Sequence, residues 1–391
     1  MNRDDLESLF RQKFHHDPEV IVQAPGRVNL LGEHVDYNEG IVLPAAINRS
    51  VYIASNPQED DLVTLYAIDL DDSTSFCLST LEEKINIEGN PLPNWALYPA
   101  GVAWALKKSG LSVSGIKAII TSNIPIGAGL SSSAALEIAF ATLWQAIERW
   151  DLDRLSMARI CQKAENDYVG LSCGLMDQFA SACGVEGHAL YLDIRSLDWE
   201  AAPLPKGTAL IIADSGQRRA LTNSAYNDRR ASCEEAVKHL QEFFPNIQSL
   251  RDVSSTEFAA LSAFIPEIPR KRAEHIIKEI ARVESALSAL QRNDKQAFGA
   301  LMYSGHNSLR DLYEVSTPEL DLLVGLTRKI PGCIGARLTG AGFGGCTINL
   351  VEEQYAEEFI KDLKAAYKKE TGSEIQVYLC KANQGASVLK G

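Results

Sequence analysis

The stretch Pro125-Ile-Gly-Ala-Gly-Leu-Ser-Ser-Ser-Ala-Ala135 narrows what this 391-residue chain can fold into more than any other part of it. It leaves Gly115–Ser122, a β-branched run that reads as a strand, and enters Ser131–Trp150, whose apolar residues recur at helical spacing. Two glycines let the backbone come close to an anion. Three serines then fall where a helix begins, with its unpaired N–H groups and positive dipole end, and a hydroxyl there can add a ligand for Mg²⁺. Taken alone, the stretch is equally an ordinary helix cap preceded by serine-rich turn chemistry. No G-x-x-x-x-G-K followed by Ser or Thr occurs in the chain, so a phosphate cradle here is not a P-loop.

Around that turn the chain reads as mixed α/β, or α+β. Val20–Ala24, Ile41–Ala46, Val51–Asn56 and Val63–Ile68 are strand-like, so strands dominate the first third. Leu152–Tyr168 is helical, with Gly170 where a helix would stop. Strands return at Ala189–Ile194 and Ala209–Asp214. Helical patterns follow at Thr222–Phe244, Arg270–Arg292, Lys295–Tyr313 and Pro318–Lys329, and then two final strand and helix units. Pro203 and Pro205 mark a break in Ala201–Gly207, giving expected domains 1–205 and 206–391, in keeping with the length. There is no repeat of fixed period and no low-complexity tract.

With 38 Lys and Arg against 51 Asp and Glu the formal charge is −13, which disfavours nucleic acid or an anionic membrane face as partner. An anionic substrate would need a local exception made of backbone N–H groups, a metal ion or a few arginines. The eight cysteines form no C-x-x-C pair and read as free thiols. No apolar run is long enough to span a membrane, and the charged start MNRDDLESLF has no signal-like apolar segment. The expectation is a soluble, reduced, cytoplasmic protein, a monomer or weak homo-oligomer with small-molecule partners, binding neither nucleic acid nor membrane.

Two more glycine-rich segments carry polar chemistry. Ala24-Pro-Gly-Arg-Val-Asn-Leu-Leu-Gly-Glu-His-Val-Asp-Tyr37 follows a strand and packs Arg27, Asn29, Glu33, His34 and Asp36 together. Carboxylates beside an imidazole on short turns suit sugar hydroxyls, which both donate and accept; a solvated charged loop is the plainer alternative. Arg337-Leu-Thr-Gly-Ala-Gly-Phe-Gly-Gly-Cys346 formally contains G-x-G-x-x-G but runs into a strand rather than a helix, so it reads as a tight turn packed against a phosphate-bearing loop and not as a dinucleotide site. Between them, Glu165 and Asp177 flank another glycine-rich turn, Gly170–Gly174, where carboxylates hold metal or take a proton.

In this order the three segments are similar to the motifs of the GHMP small-molecule kinases. Gly26–Tyr37, Cys173-Gly-Leu-Met-Asp-Gln-Phe179 and Thr339–Cys346 closely resemble the galactokinase forms. The resemblance implies a two-domain GHMP kinase fold: a ribosomal-protein-S5-domain-2-like N-terminal domain, a ferredoxin-like C-terminal domain and a site between them. It implies that Arg27, Glu33, His34, Asp36, Gly174, Asp177 and Tyr226 bind the sugar. Gly127, Ala128, Gly129, Leu130, Ser131, Ser132 and Ser133 would cradle ATP phosphates, Ser133 and Glu165 would hold Mg²⁺, and Trp95 and Tyr98 would line the adenine site. A core-facing aromatic pair is the plainer reading of those two.

The implied reaction passes the γ-phosphoryl group of ATP to the C1 hydroxyl of galactose, the first committed step of galactose utilisation by the Leloir pathway. Asp177 takes or orients the hydroxyl proton and Arg27 offsets charge spreading over the phosphoryl oxygens. Two departures lie beside the pocket: Asp214-Ser-Gly-Gln-Arg-Arg219 lacks an Asn common there, and Leu171-Ser-Cys-Gly stands where Pro-Cys-Gly is usual. Alternatives are a kinase for N-acetylgalactosamine, galacturonate or arabinose, and a galactose sensor without turnover. The complete Ser131–Ala135 loop and Asp177 oppose the sensor.

Overall fold

The computed structural model describes residues 3–125, 127–217 and 222–391. Helix α1 (Arg3–Phe14) precedes β1 (Val20–Leu31), β2 (Ile41–Pro57), the hairpin β3 (Leu62–Ala67) and β4 (Asp72–Cys77), α2 (Leu97–Lys108) and β5 (Ile116–Ser122). Helices α3 (Ser132–Glu148), α4 (Arg154–Lys163), continued by a π turn over Ala164–Val169, and α5 (Met176–Cys183) come next, then the hairpin β6 (His188–Asp193) and β7 (Trp199–Pro203). These strands, with β12 (Ser387–Lys390), make an eight-stranded sheet ordered β12-β1-β2-β5-β3-β4, with β6 paired to β2 and β7 to β6.

A second sheet starts at β8 (Thr208–Asp214). Helices α6 (Thr222–Gln241), α7 (Ser255–Leu261), α8 (Glu267–Gln291), α9 (Lys295–Ser308) with a π turn over Leu309–Tyr313, and α10 (Pro318–Thr327) precede β9 (Cys333–Thr339) and β10 (Cys346–Glu352). Helix α11 (Ala356–Thr371) and β11 (Gln376–Cys380) complete an antiparallel sheet of order β11-β8-β10-β9. That order, with helices between β8 and β9 and between β10 and β11, is the expected ferredoxin-like arrangement. The sheet changes across the expected break at Ala201–Gly207, while β12 returns to pair with β1.

Three expectations about elements need correcting. Ile41–Ala46 and Val51–Asn56 are one strand, because β1 pairs with both parts on either side of its own irregularity, between Pro25 and Arg27. The helix expected over Leu152–Tyr168 tightens to Arg154–Lys163 and widens into the π turn that carries Glu165. The C-terminal region holds one helix, not two, since the third glycine-rich segment is the turn of a β9–β10 hairpin.

The Pro25 irregularity positions the site. Proline offers no donor to the ladder, so the pairing slips there. Past the slip, the Arg27 N–H bonds the Leu130 carbonyl at 3.1 Å, tying β1 to the serine turn before α3. Helices α3 and α5 pack on β1, and α8 packs on β1 and β2. One main core spans both sheets, with smaller ones under α11 and under α1.

Candidate active site

Arg27 is 5 % exposed and its guanidinium grips Asp177 with both forks: Nε donates to Oδ1 at 2.6 Å and Nη2 to Oδ2 at 2.7 Å. Its Nη1 donates to the Gly129 carbonyl at 2.8 Å. Asp177 lies in the first turn of α5, brought there by the glycine-rich turn before it. Ser131 precedes α3 with a left-handed φ of 56°, and its hydroxyl leaves its own helix uncapped and donates to Asp177 Oδ2 at 2.5 Å.

Two cavities meet at this pair. One of about 330 Å³ is lined by Gly127, Gly129, Leu130, Ser131, Ser132 and Ser133 together with Arg27 and Asp177. Ala128 is next to them in sequence, with its side chain in the main core. The other, about 150 Å³, holds Glu33, His34, Asp36, Gly174 and Tyr226, again with Arg27 and Asp177. A roomier surface depression along α4, at Arg159 and Lys163, contains none of these residues.

The smaller cavity is crowded with acid. Burial pushes the Asp36 carboxyl up to about 6, helped by the Asp177 charge, and pushes Glu33 up to about 7 against the pull of Arg337 and Arg27. Glu33 Oε1 accepts the Gly340 N–H at 2.6 Å and Oε2 accepts the Asn29 amide. His34 Nε2 donates to the Ala341 carbonyl at 3.1 Å, which leaves Nδ1 to accept from the Tyr37 hydroxyl at 2.9 Å. Tyr37 bonds onward to Tyr313 at 2.6 Å, and the Tyr226 ring stands 5.5 Å from that of His34. A Cβ on Gly174 would sit 1.9 Å from Asp36 Oδ2, so only glycine lets that carboxylate lie against the chain.

On the other side, Ser133 is near enough to Glu165 to pull its carboxyl down, while burial holds that carboxyl above its usual range. Gln178 Nε2 donates to Glu165 at 2.6 Å and to Glu137 at 2.9 Å. Burial, with the Glu165 charge beside it, holds Glu137 far above the carboxylate range. Ser133 lines the larger cavity with the buried Glu165 carboxyl near it, and one hydroxyl with one carboxylate is a donor set that fits Mg²⁺. Among the described residues no cluster of three or more His, Cys, Asp or Glu is arranged for a metal ion, so no all-protein cage competes with that fit. Trp95 donates its indole N–H to Asp72 at 2.7 Å, and Tyr98 is within electrostatic reach of Glu165 and Glu137.

The third glycine-rich turn differs from expectation. It packs on the acidic segment through Gly340 and Ala341, and on Val315 and Gln217 through Phe343 and Gly345, in place of a phosphate-bearing loop. Sequence reasoning also missed Glu137 and Gln178; a Glu on the apolar face of α3 and a Gln beside Asp177 were the available signals. Arg218 and Arg219 of the departing segment lie outside the described residues. All eight cysteines are free thiols. No helix is long and apolar enough to cross a membrane among the described residues.

Residues 98–185 match the GHMP kinases N terminal domain and 286–369 the GHMP kinases C terminal. A solved mevalonate kinase, 22% identical, shares the fold at a TM-score of 0.66, covering 92% of this chain and 98% of that one. Two sheets with paired cavities at a serine turn thus define a GHMP kinase. Residues 8–57 match the galactokinase galactose-binding signature. The galactokinase of Roseiflexus sp. strain RS-1 is 43% identical over 385 residues, 98% of this chain and 97% of the relative. That of Halalkalibacterium halodurans is 39% identical over 394 residues, 100% and 98%. The crystal structure of Lactococcus lactis galactokinase complexed with galactose matches at a TM-score of 0.92 and 35% identity, covering 98% and 99%. The chain belongs to the galactokinase family.

Raised carboxyls make stability depend on pH. Asp36 and Glu33 keep protons to higher pH folded than unfolded, so their contribution is complete below pH ~4 and is lost as pH rises through about 6 and 7. Asp36→Asn should flatten the fall in urea-unfolding free energy between pH 4 and 7 by about 2 kcal/mol, discounted for the opening of Asp36 to the cavity. An unchanged profile would show that Asp36 titrates normally.

Proposed function

We propose that this enzyme transfers the γ-phosphoryl group of ATP to the anomeric C1 hydroxyl of α-D-galactose, releasing galactose 1-phosphate and ADP. The observation that carries it is the Arg27–Asp177 pair at the junction of the two cavities. Family membership supports ATP as donor. The larger cavity is the phosphate side: Gly127 to Ser133 offer backbone N–H groups at the start of α3, which suits an anion in a chain of charge −13. Trp95 and Tyr98 take the adenine. The smaller cavity takes the sugar, with Glu33, His34, Asp36, Gly174 and Tyr226 around it. It draws on both proposed domains, 1–205 and 206–391.

Asp177 receives the C1 hydroxyl proton, and a carboxylate that already accepts Arg27 and Ser131 still has lone-pair capacity for it. Arg27, fixed by Gly129 as well, keeps that carboxylate aimed at the junction and faces the phosphoryl oxygens as charge spreads over them. Ser133 and Glu165 would hold Mg²⁺, which when bound supplies charge neutralisation for the phosphate oxygens. Raised Glu33 and Asp36 carboxyls favour a ligand that donates hydrogen bonds, as sugar hydroxyls do.

Asp177→Asn should lower galactose-dependent ADP release by ~10²–10⁴-fold while galactose still binds. Near-normal turnover would remove Asp177 from the reaction. Galactose, N-acetylgalactosamine, galacturonate and arabinose compared at one ATP concentration should rank galactose first, and a clear preference for another sugar would replace the substrate. Gly174→Ala pushes the Asp36 carboxylate aside, so the KM for galactose should rise at least ~10-fold with the KM for ATP little changed. Equal galactose KM values would show that Asp36 does not bind the sugar.

A further inference from the structure

Residues Gly32 to His34 form a turn that the chain would not adopt unaided. Gly32 has φ +94°, and a Cβ there would meet the Ile41 carbonyl at 2.7 Å; His34, two residues on, has φ +63°. Glycine adopts such a φ without strain, but His34 does not and needs outside contacts to hold it. The side chains of Glu33 and His34 are tied to Gly340 and Ala341, but the backbone of the turn is held from elsewhere.

Asn38 Nδ2 donates to the His34 carbonyl at 3.1 Å, and a second hold comes from α8, far along the chain and outside all three glycine-rich segments. Glu279 Oε1 accepts the Gly32 N–H at 2.9 Å, and His275 Nε2 donates to the Glu33 carbonyl at 3.3 Å. The two side chains are one turn apart on one face of α8, each 0 % exposed. Neither lines the sugar or the phosphate cavity.

Each is itself fixed. Glu279 Oε1 also accepts Arg337 Nη1 of β9 at 2.9 Å, and Oε2 accepts Arg282 Nε at 2.6 Å. Burial works to raise the Glu279 carboxyl, yet Arg282 and Arg337 hold it well below the carboxylate range. Arg337 Nη1 reaches back to the Leu30 carbonyl at 3.2 Å, just before the turn. His275 takes the Ser308 hydroxyl on Nδ1 at 2.8 Å, and its ring lies 4.5 Å from that of Tyr313, which lies 4.7 Å from His34.

A buried ion cluster is a costly way to fill a core, where apolar side chains of similar volume serve as well or better. Apolar side chains cannot accept the Gly32 N–H or donate to the Glu33 carbonyl. We infer that His275 and Glu279 are positioning residues for the sugar-binding turn, setting where Glu33 and His34 present themselves without touching the sugar. This rests on the reading of Glu33 and His34 as sugar contacts.

The test uses Glu279→Gln, which keeps an acceptor of the same shape without the charge that gathers Arg282 and Arg337, and His275→Phe, which keeps a ring on Tyr313 without the bond to Glu33. Glu33→Gln is the control for the underlying reading. With folding checked by circular dichroism and melting, Glu279→Gln should raise the KM for galactose ~10-fold and His275→Phe about threefold or more. The KM for ATP should stay within about twofold and kcat within about threefold, and galactose affinity by titration calorimetry should fall in step with KM. Where Glu279→Gln does not fold, His275→Phe decides. Folded variants whose galactose and ATP KM values are unchanged, or move in equal proportion, overturn the inference; a raised galactose KM in Glu33→Gln then leaves the sugar-turn reading standing. An unaltered galactose KM in Glu33→Gln overturns both.

Discussion

The Arg27 guanidinium joins three parts of the chain that are far apart in sequence: β1, which carries it, the Gly129 carbonyl in the serine turn, and both oxygens of Asp177 on α5. A cation 5 % exposed is unfavourable unless paired and hydrogen-bonded, so burying Arg27 requires these parts to meet. The geometry that neutralises Arg27 also fixes the proposed catalytic pair at the junction of the two cavities. The slip in β1 at Pro25 lets a central strand also hand its Arg27 N–H to the serine turn.

Around that cation the site is overfull of acid. Glu33, Asp36, Glu137 and Glu165 are all held above their ordinary range, each chiefly by burial. Like charges press on one another as well: Asp177 on Asp36, and Glu165 on Glu137. Such strain disfavours the empty arrangement and favours ligands of opposite character, hydroxyl donors on one side and a cation on the other. The proposed phosphate side is built differently, from the glycine and serine turn before α3 and Arg27, which would let a chain of charge −13 make room for an anion.

Much of this was legible in the sequence because it is local. The serine turn, the Gly26–Tyr37 run and the Asp177 turn each carry glycines and polar groups within a short span, and the structure gathers them at two adjoining cavities. The ferredoxin-like half was implied by the family resemblance of these segments, since its strand and helix pattern alone suggested one helix too many. What escaped depends on contacts between distant residues. Pairing with β1 made one strand of Ile41–Pro57, and the partner of the third glycine-rich turn was misread because a turn's neighbours are not written in its residues. Short α5 hides behind the glycine-rich turn that precedes it. Arg272, His275, Glu279 and Arg282 recur along the buried face of α8, and polar residues at core spacing were a signal of something other than packing.

The third glycine-rich turn explains why the two halves must act together. Thr339 accepts the Asn29 N–H at 2.9 Å and donates to the Asn29 carbonyl at 3.1 Å, joining β9 directly to β1. One residue on, the Gly340 N–H takes the Glu33 carboxylate, and the Ala341 carbonyl fixes the His34 tautomer. The smaller cavity is therefore walled by carboxylates and an imidazole from one half and by Tyr226 and the backbone of the hairpin from the other. Backbone is the right material there: its N–H and C=O groups orient side chains without adding volume to a cavity of about 150 Å³. Glycine follows from close packing behind the turn, since a Cβ on Gly342 would meet the Val315 carbonyl at 2.3 Å and one on Gly344 the Gln217 carbonyl at 2.8 Å. Sliding of one sheet against the other would have to break these bonds, so they hold the acidic segment and the β9–β10 turn in one arrangement.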